Sequence, residues 1–291
     1  MKFLLAIDGS RYSLAATRFV CAYMEHHGRQ VDVVHVLPVT VREGEAFPRH
    51  ATEVARLPPA VRSWFDRTIE RLEAHGFEVG RHVRRGLPTQ VVPTLAVKGR
   101  YDLVIAGAKG RSDTPFLPLG SVARAVLEQD TAAHVLLVRE HEIKKNRKRA
   151  RLRPFTVIFA VDGSSRAEQM ARVFYAMFSV PRLEPIALAV SDVPEPAALV
   201  RMRAVNRKQL LGQLDQAAWR WARAAKPSLA HPGVRPKALM VRGRPAAAII
   251  EEAKRSRASL IVLGSRGVKV PRNGLSEASL CRSRVMHRVL F

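Results

Sequence analysis

A chain of 291 residues, 47% hydrophobic and 25% charged, has a globular composition with room for about two domains. That composition argues against wholesale disorder, and no apolar run approaches the roughly 20 residues of a membrane span. Its net charge of +24 is uneven, at +5 on residues 1–139, +5 on 140–154 and +14 on 155–291, a field that would draw nucleic acid, anionic lipid or acidic proteins in a salt-dependent way.

The opening MKFLLAIDGS meets Asp8 too early for a signal-peptide core. Cys21 and Cys281 lie far apart without a CxxC partner. Together these predict a cytoplasmic protein with reduced, structural thiols.

Read in chain order, the first half predicts strands near 2–8, 31–37, 77–84, 102–107 and 133–138. Runs such as LLAI, VDVVHV, DLVIAG and HVLLV have few alternating polar positions, as expected of strands covered on both faces. Helices are expected over Ser10–His27, Ala51–His75, Thr89–Gly99 and Ser121–Gln129. Pro58-Pro59 should delay the second helix and place Pro59 in its first turn. His26 and His27, beside Gly28, would complement the dipole at the end of the first helix. Strand and helix alternating five times predict an α/β fold, a five-stranded parallel sheet with helices on both faces. Such sheets bind ligands beyond the strands' carboxyl ends.

EHEIKKNRKRARLRP, residues 140–154, is charged and almost free of apolar side chains, and reads as a basic linker. Beyond it the pattern starts again. KFLLAIDGS returns as FTVIFAVDGS, VDVVHVLPV as PIALAVSDV, and the stretch 82–110 as 239–267, all in the same order. The chain is a duplication, with domains expected at 1–139 and 155–291.

Asp8 ends the first strand of the first repeat and Asp162 that of the second. A short acceptor there can cap helix amides or accept a hydrogen bond from a ribose hydroxyl. The loop GAKGRSDTPFLPLGS follows the fourth strand and runs into a helix. Gly107 and Gly110 would permit positive φ and a close ligand approach. Gly120 and Ser121 would set amides at a positive helix terminus, a phosphate cradle to which Lys109 and Arg111 add charge. GxxxxGK[ST], GxGxxG after the first strand, HExxH and GxSxG are all missing.

The spacing G-x2-G-x9-G-[ST], here Gly107, Gly110, Gly120 and Ser121, resembles the universal stress protein family when joined to the Asp-ended first strand. The resemblance covers nearly the whole chain as two tandem domains. It implies ATP, ADP or AMP as ligand, with Mg able to accompany the nucleotide. Asp8 would then meet the ribose, Val36 would offer backbone atoms to adenine, and the glycine loop with Gly120, Ser121 and Val122 would hold phosphates, within reach of Arg111. The second repeat keeps Asp162, Val190, Gly264 and Gly267 but has Glu277-Ala278 in place of Gly-Ser. Its site is therefore expected to be weak or empty, since Glu277 would repel phosphate.

Three functions compete. The leading one is a nucleotide-linked sensor or regulator of the stress response, read by an unknown protein partner. Slow ATP hydrolysis or self-phosphorylation is an alternative, although no general base stands out. Polyanion or nucleic-acid binding through the linker and the basic second half is another, without a stacking platform to support it. Pairing of the two repeats as an intramolecular pseudo-dimer, or of two chains as a homo-dimer, is implied by the resemblance.

Overall fold

In a computed structural model the described residues are 1–38, 57–111, 119–129, 133–139, 153–164, 166–193, 204–264 and 287–289. Most of the linker, together with Cys281, Gly267 and Glu277-Ala278, lies outside them. The chain divides into two compact units, Met1–Lys145 and Asn146–Ser279, with the C-terminal strand counted in the first.

The first unit carries β1 (Lys2–Ala6), α1 (Arg11–Tyr23), β2 (Gln30–Leu37), α2 (Pro59–Glu73), β3 (Glu78–Arg85), α3 (Pro88–Lys98), β4 (Leu103–Gly107), α4 (Ser121–Glu128) and β5 (His134–Val138). The strand order is β3-β2-β1-β4-β5, all parallel. Leu4, Val34 and Val104 on the sheet cluster with Val92 and Ala96 of α3 and Val126 of α4. Helices α1 and α2 pack on one another elsewhere in the unit. Burial on both faces is why these strands read as unbroken apolar runs. α2 and α3 each begin with a proline at the first helical position, where the missing N–H costs nothing.

α1 ends at Tyr23, four residues short of the expected His27. The amides of His26 and His27 donate to Glu25 Oε1 in a local turn that competes with further helix. These two histidines are therefore beyond the helix end, not in its last turn. Burial pushes the Cys21 thiol up to about 11, which keeps it protonated.

The amino-terminal pole of this sheet is held by one buried carboxylate. Asp32 of β2 is 1% exposed. Its Oδ2 accepts from the Tyr101 hydroxyl at 2.6 Å and pairs with Lys2 Nζ at 3.1 Å and His82 Nε2 at 3.2 Å. Oδ1 accepts from Gln30 Nε2 at 2.9 Å. Gly80 of β3 lies against this carboxylate, with no room for a side chain.

The second unit carries β6 (Phe155–Val161), α5 (Arg166–Met177), β7 (Leu183–Asp192), α6 (Ala204–Leu229), β8 (Lys237–Gly243), α7 (Pro245–Arg255) and β9 (Leu260–Val262). Its strands run parallel in the order β9-β6-β7-β8, matching β4-β1-β2-β3 of the first unit. Phe159 meets Phe174 of α5 edge-on, whereas Ile158 clusters with Ala253 of α7. Neighbours on a strand point to opposite faces, so α5 and α7 cover opposite sides of the sheet. The three-residue C-terminal strand β10 (His287–Val289) runs parallel to β5 of the first unit.

Candidate functional site

In the first unit, β1 and β4 are neighbours in the sheet, while β2 lies on the far side of β1. This reversal of direction opens a crevice beyond the strands' carboxyl ends, where Asp8 follows β1 and the glycine loop follows β4. Asp8 does not cap α1. Ser10 is the N-cap, its Oγ accepting from the Ser13 amide at 3.2 Å. Asp8 Oδ1 accepts from the Ser10 amide at 2.9 Å, and Oδ2 reaches across 103 positions of sequence to the Arg111 amide at 3.1 Å. One carboxylate thus ties the first turn of the chain to the glycine loop. Between them Gly9 holds φ +78°, and a Cβ there would lie 2.6 Å from the indole of Trp64 on α2.

The loop glycines serve differently from expectation. Neither Gly107 nor Gly110 has a positive φ. What each needs is the absence of Cβ. A Cβ on Gly107 would meet Tyr12 Cβ at 2.7 Å and the Lys109 carbonyl at 2.9 Å, while one on Gly120 would meet Lys109 Cα at 3.1 Å. The Gly120 amide donates to the Ala108 carbonyl at 2.8 Å, closing the loop ends on each other. Gly110 stands apart, since among the described residues its Cβ would approach only Asp8 Oδ2, at 2.9 Å. Gly120 is the N-cap of α4 and makes no side-chain cap bond, so the amides of Ser121 and Val122 start the helix without an intrahelical acceptor. The helix terminus is positive, and a Cβ on Gly120 would stand 3.3 Å from the Gly110 amide.

Val36 sits where β2 outruns β1. The β1–β2 ladder ends at Ala6 and Val34, and the Ile7 amide donates to the Val34 carbonyl. Residues two apart on a strand turn their amides to the same side, so the backbone edge of Val36 faces the space past β1. His35, 4% exposed, donates from Nδ1 to the Ile7 carbonyl at 2.9 Å. Burial, with the nearby Arg111 charge, holds its pKa below the usual histidine value. Trp64 meets the His35 ring edge-on at 4.9 Å, and the Arg111 guanidinium lies over the same indole at 5.9 Å. Arg111 is therefore directed at Trp64, and only its amide joins Asp8.

In the second unit Asp162, Val190 and Gly264 line one cavity of about 280 Å³. Asp162 Oδ1 accepts from the Ser164 amide at 3.0 Å, repeating the Asp8 turn. Gly163 has φ +82° and lies against Trp221 of α6, repeating Gly9 and Trp64. Gly267, the fourth residue expected there, is outside the described residues. Sequence reasoning missed both tryptophans and Arg166. A tryptophan in the second helix of each repeat, where both copies already carried Asp-Gly-Ser, was the signal that could have found the first two.

Among the described residues, one group of three side chains could hold a metal, Glu25, His26 and His27. It is a run of neighbours beyond α1, away from the crevice. No helix among the described residues is long and apolar enough to cross a membrane.

No curated protein sequence matches the chain. Among solved structures, a universal stress protein from Archaeoglobus fulgidus DSM 4304 is similar at 16% identity, over 92% of this chain and 89% of that one, with a TM-score of 0.49. A universal stress protein family protein from Arabidopsis thaliana, solved with AMP bound, is 12% identical over 52% of this chain and 99% of its own, with a TM-score of 0.32. A universal stress protein solved in complex with cAMP is 19% identical over 47% and 95%, also at 0.32. The model of the universal stress protein family matches residues 1–139 and again 155–289. The family model covers both repeats, and the chain belongs to the universal stress protein family.

Proposed function

We propose that the first unit binds an adenine nucleotide, ATP or its shorter relatives, and acts in the cytoplasm as a nucleotide-linked regulator of a stress response. The observation that carries this reading is the convergence of Asp8, Gly110 and the start of α4 on one crevice. Phosphate oxygens would take the Ser121 and Val122 amides and the Ser121 hydroxyl, as anions do at helix N-termini. Asp8 already accepts two amides, yet a carboxylate has about four acceptor sites, which leaves capacity for ribose hydroxyls. The β1-facing edge of Val36 supports recognition of the adenine rim. Mg, if it accompanies the nucleotide, would be held through the phosphates.

Calorimetric titration of ATP into nucleotide-stripped protein tests the proposal. One first-unit site is expected, weakened at least tenfold by Gly110→Val, about 1.4 kcal/mol or more. Unchanged affinity in a variant that melts like the wild type would overturn the site assignment.

A further inference from the structure

The cavity of the second unit is lined by one acid and one base, Asp162 and Arg166. Aligned on their Asp-Gly-Ser turns, Tyr12 of the first repeat corresponds to Arg166 of the second, and Gly107 to Gly264. Tyr12 is buried and packs tightly on Gly107. In the second unit the equivalent contact is loose, with a Cβ on Gly264 standing 3.8 Å from Arg166 Cδ. The contact at Gly107 is made by Tyr12 Cβ and backbone, so the looser one at Gly264 marks a wider separation, into which the Arg166 side chain brings a cation.

Arg166 lines the cavity, and its Nη1 is buried without a hydrogen-bond partner among the described residues. A guanidinium does not shed its proton, so only an acceptor can relieve that cost. Arg166 is also the first residue of α5, where the helix dipole favours negative charge. Asp162 lines the same cavity, and would repel a ligand that was simply an anion. A ligand carrying a cation beside its anion satisfies both. Apart from Ser164, most of the remaining wall, including Leu188, Ile249 and Leu263, is apolar. About 280 Å³ is at the small end of ligand pockets.

We infer that the second unit binds a compact zwitterion with an apolar body, of which a free amino acid with a branched side chain is the simplest example. Its carboxylate would meet Arg166, its ammonium Asp162, and its side chain the apolar wall. This does not depend on nucleotide binding in the first unit.

The test uses the full chain and three probes in calorimetry: L-leucine, leucinamide, which lacks the carboxylate, and 4-methylpentanoate, which lacks the ammonium. Leucine should bind saturably, once per chain, and each analogue at least tenfold more weakly. Arg166→Gln should abolish the preference for leucine over leucinamide, and Asp162→Asn the preference over 4-methylpentanoate. Equal binding of leucine and leucinamide by the wild-type protein would overturn the inference, and needs no variant to fold. So would absence of leucine binding, unchanged leucine affinity in a folded Arg166→Gln protein, or competitive displacement of leucine by AMP.

Discussion

Gly107 and Gly110 stand three residues apart in the same loop, yet their substitutions should separate. An alanine at Gly107 forces its Cβ into the Cβ and backbone of Tyr12 and the Lys109 carbonyl, which cannot move aside. Overpacking of that kind costs about 1–3 kcal/mol, measurable as a lower urea midpoint for Gly107→Ala. Among the described residues an alanine at Gly110 meets only the end of the Asp8 side chain, so its stability should fall by less than that of Gly107→Ala. Nucleotide affinity should respond in Gly110→Ala instead, through the displaced carboxylate. A fall in urea midpoint for Gly110→Ala matching that of Gly107→Ala would contradict this division. The spacing of these glycines was plain in the sequence, but their separate duties were not. Spacing records position along the chain, whereas duty depends on Tyr12 and Asp8, which come from another strand and helix.

At the scale of elements, β2 carries two buried titratable groups three residues apart, Asp32 toward one pole and His35 toward the other. Burial raises the pKa of Asp32, but the Tyr101 hydroxyl, Lys2 and His82 outweigh it and hold the carboxyl below its usual range. His35 is also depressed, by burial first. In both cases the unfolded chain binds protons that the folded chain refuses, so stability falls with pH. The His35 loss should begin below about pH 6.5 and the Asp32 loss below about pH 4. Urea midpoints measured across pH should fall in these two windows. His35→Gln should flatten the upper one, and its persistence in that variant would count against the assignment. Asp32→Ala, leaving the buried Tyr101 hydroxyl unmatched, should cost about 1–3 kcal/mol at neutral pH.

Most elements were legible because apolar runs and prolines report local structure directly. Pro59 and Pro88 sit at helix starts, as their chemistry requires. The end of α1 was less legible, since no glycine follows until Gly28 and the turn at Glu25 is made by a side chain. The Asp32 network was hidden for another reason. Lys2, Asp32, His82 and Tyr101 lie on or beside four strands, and only the strand order brings them together.

For the whole molecule, the charge of +24 predicts binding to any polyanion at low salt. If charge is its only basis, duplex DNA should bind without sequence preference and lose about 10³-fold or more in affinity between 50 and 200 mM salt. Fluorescence anisotropy with two unrelated duplexes checks this. Tight, sequence-selective binding at 200 mM would show a dedicated nucleic-acid surface. The duplication was the most legible feature of all, because several matched stretches recur in one order. The fates of the two sites diverged more quietly. The loss of Gly-Ser in the second repeat was visible, but the exchange of Tyr12 for Arg166 gained meaning only when both were placed beneath their glycines.

The pairing of Gly9 with Trp64, and of Gly163 with Trp221, carries an evolutionary consequence. At each pair a positive φ and an indole face occupy the volume that a side chain would need. Neither partner can drift alone. In an alignment of relatives, a residue larger than glycine at position 9 should occur together with a smaller one at position 64, and the same linkage should hold for 163 and 221. Two copies of the pair within one chain make that coupling older than the divergence of its halves.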